Sequence, residues 1–166
     1  HVIHSSHRTP EITFIDAVAS SSAAPMYFPP YKTQSGSWMI DGGVVTNNPV
    51  LLGTSHAKEF FKTDNIKILS IGAGLNKQKI SGETAGLWGG VGWLRNDLMG
   101  MMLDSEIHHT LAKDTLGKNY LRINSPIGKI NRILDDDSEL NIEKIHLMGL
   151  DWWSEFGEET LQFLKD

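Results

Sequence analysis

The chain has 166 residues, 40% of them apolar and 21% charged, which are the proportions of an ordinary globular domain long enough to bury a core. Its 15 basic and 20 acidic side chains give a net charge of -5 with no basic run, excluding broad nucleic-acid binding. With no cysteine there is no disulfide scaffold, thiolate metal site or cysteine nucleophile, and a reducing, cytoplasmic compartment fits that composition.

No apolar run approaches the roughly 20 residues of a membrane-spanning helix, and no signal-peptide pattern opens the sequence. A first residue of His1 rather than methionine makes a processed product or a piece of something longer the expectation. His1, His4 and His7 stand three apart, a spacing that a helix would gather on one face. A chain terminus rarely fixes the three or four ligands zinc requires, so a solvated arm is expected here and no metal or cofactor is. The neighbouring pair His108–His109 is weaker still as a metal site, since helix neighbours point about 100° apart, and His56 and His146 read as surface or core-edge residues.

Residues 11–24 place Ile12, Ile15, Val18 and Ala19 on one helical face, and Ala19–Ala24 are small enough for close packing. Pro25 ends that helix, and Met26–Pro30 reads as an extended, stiff apolar segment. Ser20, Ser21 and Ser22 lack the flanking glycines of a nucleophile elbow, so packing is their expected role. After a polar turn at 34–37, Trp38–Ile40 reads as a short apolar strand delivering Asp41 into the turn Gly42–Gly43. Asn48 is a natural helix cap and Pro49 a natural first helical residue, with Val50, Leu51, Ala57, Phe60 and Phe61 continuing the helix. Taken alone, Asp41 has two readings: a turn-forming residue at a strand end, or a carboxylate placed where α/β folds keep their chemistry.

Ile66–Ile71 is nearly continuous in apolar residues and predicts a buried parallel strand, closed by a tight loop at Gly72-Ala73-Gly74. Leu87, Val91, Leu94, Leu98, Met101 and Met102 predict one long amphipathic helix over 87–116, approached through a flexible glycine-rich rim at Gly86, Gly89, Gly90 and Gly92. Trp88, Trp93 and Leu98 would give it an apolar surface, read either as core packing or as an acyl-chain-binding, lipid-facing element. Leu121–Ile123 reads as a further strand. Asp135–Asp137 with Ser138 reads as the cap of a helix over 139–150, with a last helix near 158–164 after Trp152, Trp153 and Phe156.

The order of three motifs says more than any one of them. Ala-Ser-Ser-Ser-Ala-Ala-Pro-Met-Tyr-Phe-Pro-Pro at 19–30, Asp-Gly-Gly at 41–43 with Asn-Asn-Pro behind it, and Ser-Ile-Gly-Ala-Gly at 70–74 together resemble the patatin-like lipid acyl hydrolases. Lys118–Ile123 and Leu134–Glu139 extend the likeness, which covers most of residues 15–150.

The resemblance implies a three-layer α/β fold with a mostly parallel central sheet flanked by helices. It also implies a serine–aspartate dyad acting on membrane phospholipid or another acyl lipid, with peripheral membrane contact. Asp41 falls at the aspartate position and Gly42 and Gly43 at the catalytic loop. The family's Gly-x-Ser-x-Gly elbow and glycine-rich oxyanion loop have no counterpart in the sequence. Residues 1–166 are therefore expected to be the carboxy-terminal portion of one patatin-like domain, partnered by a missing amino-terminal portion and inactive alone. A non-catalytic relative that binds lipid or a partner, or serves for storage, is the alternative.

Overall fold

The structure, a computed structural model, describes residues 2–75, 81–95, 106–131 and 135–165. Helix α1 spans Phe14–Ser21, and Thr13 caps it by accepting the Asp16 amide on its hydroxyl at 3.0 Å. A hairpin comes next, with strand β1 at Tyr31–Lys32 antiparallel to β2 at Trp38–Met39 and Tyr31 opposite Met39. A single 3-10 turn at Gly42–Val44 leads into helix α2, Val50–Phe61, which Lys62 ends in the left-handed conformation at φ 53°. Strand β3, Ile68–Ile71, pairs in parallel with β4, Tyr120–Ile123, in the register Ile68 to Tyr120 through Ile71 to Ile123. Between them lie α3 (Gly82–Ala85), α4 (Gly89–Arg95) and α5 (Glu106–Leu116), and α6 (Glu139–Lys165) closes the chain.

The mixed α/β class expected from the sequence is the class observed, with helices packed beside a parallel strand pair. Its core is small. Val50 of α2, Ala112 of α5 and Tyr120 of β4 form one buried cluster, against which Leu51, Ile68 and Leu116 pack. Leu121, the next residue of β4, points to the opposite face and is also buried, and α6 contacts the same strand. Lys67 joins the far end of α6 to the start of β3, its Nζ donating to the Phe163 carbonyl at 3.2 Å.

Several elements depart from the sequence reading, each for a local reason. The apolar face of α1 faces outward, Ile15 being 71% and Phe14 84% exposed, whereas Asp16 and Ser20 are buried. Residues 25–28 form a turn rather than an extended run, because the Tyr27 and Phe28 amides both donate to the Ala24 carbonyl and Met26 takes φ 78°. Strand β3 is half-buried, with Ile71 largely exposed, where full burial was expected. Of the long helix expected over 87–116, Gly89–Arg95 and Glu106–Leu116 are helical, and the residues between them lie outside the described ones. Leu87 sits in a turn, and Gly89, Gly90 and Gly92 lie within α4, not before it. Gly92 is needed there, because a Cβ would stand 2.6 Å from that of Trp88. The two helices expected after residue 138 are one helix of 27 residues. Gly157 does not interrupt it, and the Trp153 ring lies against that glycine. Ser138 caps α6 as expected: the Asn141 amide lies 3.4 Å from its hydroxyl, and Asp136 accepts the Ser138 amide at 3.1 Å.

The terminal arm, exposed at several positions including His7 and Arg8, is also tied to α2. Arg8 pairs with Glu59 of α2, and the His7 ring stands edge-on to Phe60 at 5.4 Å. Leu98, Met101 and Met102 lie outside the described residues, as does His1. No described helix is long and apolar enough to cross a membrane.

Ala112 is fully enclosed, so Ala112→Leu forces extra carbons into the α2–α5–β4 contact. The change is expected to lower unfolding free energy by about 1–3 kcal/mol, read from the shift of a urea unfolding midpoint.

Candidate active site

Strand β2 has only two residues, too few to hold the Asp41 carboxylate by its own pairing, so the Asp41 loop takes its position from its neighbours. The first is α1. The Asp41 amide donates to the Ala23 carbonyl at 3.0 Å, just past the end of that helix, and Ala23 is buried. The small residues of the Ala-Ala-Pro motif thus allow the loop to approach the helix end closely. Ser21 and Ser22 both turn their hydroxyls back to the Val18 carbonyl, at 3.2 and 2.8 Å, which accords with a packing role.

A second tie joins α1 to the hairpin. Asp16 is 1% exposed and accepts the Tyr31 hydroxyl at 2.9 Å and the Gln34 amide at 3.3 Å. Burial works against its charge, but hydrogen bonds from Tyr31, Thr13 and Gln34 outweigh it and hold the carboxyl below the usual range. The same contact pushes the Tyr31 hydroxyl up, chiefly because its proton is held by Asp16. At the far end of the hairpin, buried Thr33 accepts the Ser37 amide at 3.0 Å and closes the turn with Gly36 at φ 90°.

Within the loop, Asp41 Oδ1 accepts the Gly43 amide at 2.5 Å, capping the 3-10 turn. The carboxylate is half-buried and fixed in direction by that bond. A Cβ on Gly43 would stand 2.8 Å from Asp41 Oδ1 and 3.1 Å from Asn47 Oδ1, whereas one on Gly42 would meet nothing within 4 Å. The two glycines are therefore not equivalent. A side chain at 43 would push on the Asp41 and Asn47 side-chain oxygens, and one at 42 would not.

Behind the loop, Asn48 does not cap α2. Pro49 occupies that position without a side-chain bond, and Asn48 turns inward instead. Its Oδ1 accepts the Ser70 hydroxyl of β3 at 3.2 Å, and Ser70 in turn accepts Arg122 Nη1 of β4 at 2.7 Å. This chain couples the segment after Asp41 to both parallel strands. The glycine loop after β3 is tight, as expected: Gly74 has φ 114° and its amide donates to Asn124 Oδ1 at 2.9 Å.

Trp88 and Trp93 lie elsewhere, half-buried, with their rings edge-to-face at 5.2 Å. His109 is bonded to the Tyr120 hydroxyl at 3.1 Å, a core-edge contact. Sequence reasoning missed Asp16 and the inward turn of Asn48. A lone carboxylate inside the apolar run 12–19 was the available signal for the first, and nothing local signals the second.

Residues 2–53, which include the whole Asp41 loop, match the family model for patatin-like phospholipases. The chain is 32% identical to a cGAMP-activated phospholipase of Vibrio cholerae over 73% of its length and 39% of that protein. It is 31% identical to patatin-like protein 4 of Arabidopsis thaliana over 81% of its length and 42% of that protein. It is 29% identical to patatin-04/09 of Solanum tuberosum over 86% of its length and 45% of that protein. A mixed α/β fold presenting an Asp-Gly-Gly loop, together with these matches, defines the class: the chain belongs to the patatin-like phospholipase family. It spans about two fifths of the length of these relatives.

Because the folded Asp16 carboxyl titrates below its ordinary value of 3.8, its stabilisation is complete above that value and is lost as pH falls through the folded one. Asp16→Asn should therefore make the acid limb of thermal stability shallower as pH falls below about 4, measured by circular dichroism. Glu59, Asp64 and Asp136, depressed in the same direction, retain the remaining slope.

Proposed function

We propose that this chain supplies the general base, Asp41, of a serine–aspartate dyad in a lipid acyl hydrolase of the phospholipase A type. The nucleophilic serine and the oxyanion donors come from polypeptide outside residues 1–166, and this stretch alone hydrolyses nothing. The observation that carries the reading is the double fixation of Asp41, its amide on Ala23 and its Oδ1 on the Gly43 amide. That arrangement leaves Oδ2 to receive a proton.

The chemistry asks little else of the residue. A serine hydroxyl attacks the ester carbonyl while its proton passes to the Asp41 carboxylate, and the oxyanion gathers on amide donors. Collapse of the tetrahedral intermediate expels the alcohol, which takes the proton back. Water then repeats the sequence on the acyl-enzyme and releases the fatty acid. A carboxylate is a weak base for a serine, so rate depends on holding the two oxygens near 2.6–3.2 Å, a distance that fixation of Asp41 serves.

Residues 1–166 are, in this reading, the carboxy-terminal portion of a larger domain. In support, the chain exposes 11924 Å², against about 8,200 Å² for a compact monomer of its mass. Phe14, Ile15, Met26, Trp38 and Ile71 are all more than half exposed. That apolar surface is the kind a missing portion of the same core would cover.

Trp88 and Trp93 are proposed as part of the acyl-chain contact, since paired indoles offer a broad apolar surface with polar N–H edges. In the full-length polypeptide, replacing both with alanine should weaken binding to phosphatidylcholine vesicles in a flotation assay at unchanged melting temperature. Unaltered binding would assign them to packing instead.

For the dyad itself, Asp41→Asn should abolish hydrolysis of a p-nitrophenyl acyl ester by the full-length polypeptide. Gly43→Ala should lower kcat by about tenfold or more, because the added carbon displaces the carboxylate, while Gly42→Ala should stay near wild type. Full turnover by Asp41→Asn would favour a non-catalytic aspartate, and turnover by residues 1–166 alone would place a nucleophile within them.

A further inference from the structure

Helix α6 buries one side and leaves an apolar row on the other. Asn141, Met148, Trp152, Phe156 and Thr160 fall on one helical face and are buried or half-buried, and α6 contacts β4. Leu140, Leu147, Leu150, Trp153, Leu161 and Leu164 lie on the side turned away from that face and are 47–63% exposed.

Their spacing is regular. Leu140, Leu147, Ser154 and Leu161 follow one another at intervals of seven, and Leu150, Gly157 and Leu164 do the same three positions further on. That is the pattern by which one helix packs along another. Over the 27 residues of α6 the row runs about 40 Å, with the Trp153 ring lying across Gly157 near its middle.

The direction of the row and its charges select what covers it. Polypeptide that extends the sheet adds strands beside β3 or β4 and helices beside α6, and these meet the flanks of α6, not its side away from the strands. Glu139–Lys165 carries six acidic and two basic side chains, a balance that disfavours an anionic lipid surface. Those charges are also divided along the helix, with Glu139 in the first turn and Lys165 in the last. An identical helix laid antiparallel brings Lys165 of each copy to Glu139 of the other and opposes the two helix dipoles, whereas a parallel one sets like charges together. In the antiparallel register Leu140 meets Leu164, Leu150 meets Ser154, and Leu147 meets the Trp153 ring over Gly157. The six exposed side chains leave on the order of 600 Å² accessible per copy, so two facing copies bury about twice that, above the roughly 1,000 Å² of a specific interface.

We infer that the outer side of α6 is a self-association surface, through which two copies of this chain pair by antiparallel α6 helices about a two-fold axis near Trp152. No residue of the Asp41 loop takes part, so the inference stands apart from the dyad reading.

In the full-length polypeptide, sedimentation velocity across about 1–100 μM should show a concentration-dependent equilibrium between monomer and dimer. Leu150→Glu combined with Leu161→Glu should raise the dissociation constant by about tenfold or more, with melting temperature and far-ultraviolet circular dichroism unchanged. Lys165→Glu alone should weaken pairing several-fold, and Glu139→Lys added to it should restore pairing, as the antiparallel register requires. Monomer throughout that range overturns the inference, as does a dimer indifferent to the paired leucine substitutions, including one that persists while phosphatidylcholine vesicle flotation is lost. Unfolding of the leucine variant would make the row part of the domain's own core and overturn it equally. Failure of the double charge reversal to restore pairing would overturn the antiparallel arrangement.

Discussion

The hydrogen bond from the Asp41 amide to the Ala23 carbonyl is the contact that sets the arrangement of the site. Strand β2 is two residues long and belongs to a small antiparallel hairpin, not to the parallel pair, so sheet pairing cannot fix the loop at its end. Ala23 stands just past α1, and α1 is itself held to the hairpin by the buried Asp16 carboxylate bonded to Tyr31 and Gln34. The carboxylate loop is thus clamped at both ends of one short excursion of chain. Small side chains at 23 and 24 and a glycine at 43 are what permit the approach.

A second line of bonds secures the loop from behind. Arg122, Ser70 and Asn48 link β4, β3 and the entry to α2 through side chains alone. Such a line is costly to leave incomplete, because each member is at least half-buried and each polar atom must find a partner. It places a rigid reference behind the Asp41 loop.

Hydrophobic burial plays an unusual part. The helix periodicity of residues 12–19 was legible, and α1 forms, yet its apolar face looks outward while Asp16 and Ser20 look in. Periodicity reports which residues seek burial and says nothing of what will bury them. The helical state of Gly89–Arg95 was hidden for a related reason. Glycines 89, 90 and 92 read as a loop by propensity, but Trp88 folds across Gly92 and pairs with Trp93, and the ring packing sustains a helix through them. At the other end, Trp152, Trp153 and Phe156 looked like a junction and are instead continuous helix, because Gly157 gives the Trp153 ring a flat surface to lie on.

Legible in the residues themselves were the mixed α/β class, the β3 and β4 strands, the cap at Ser138, the tight loop after β3 and the identity of Asp41 as the carboxylate of a glycine turn. Each of these is written in residues adjacent along the chain, where backbone preference and short-range hydrogen bonding act. The folded chain was needed to show that Asn48 turns inward to Ser70 instead of capping α2, that Asp16 joins α1 to the hairpin, and that Gly43 rather than Gly42 faces the Asp41 carboxylate closely. Those outcomes depend on atoms brought together from 15 to 52 positions apart in the chain, or on the direction of one side chain across a turn. No local pattern specifies either, because a hydrogen bond is formed by proximity in space and the fold supplies it.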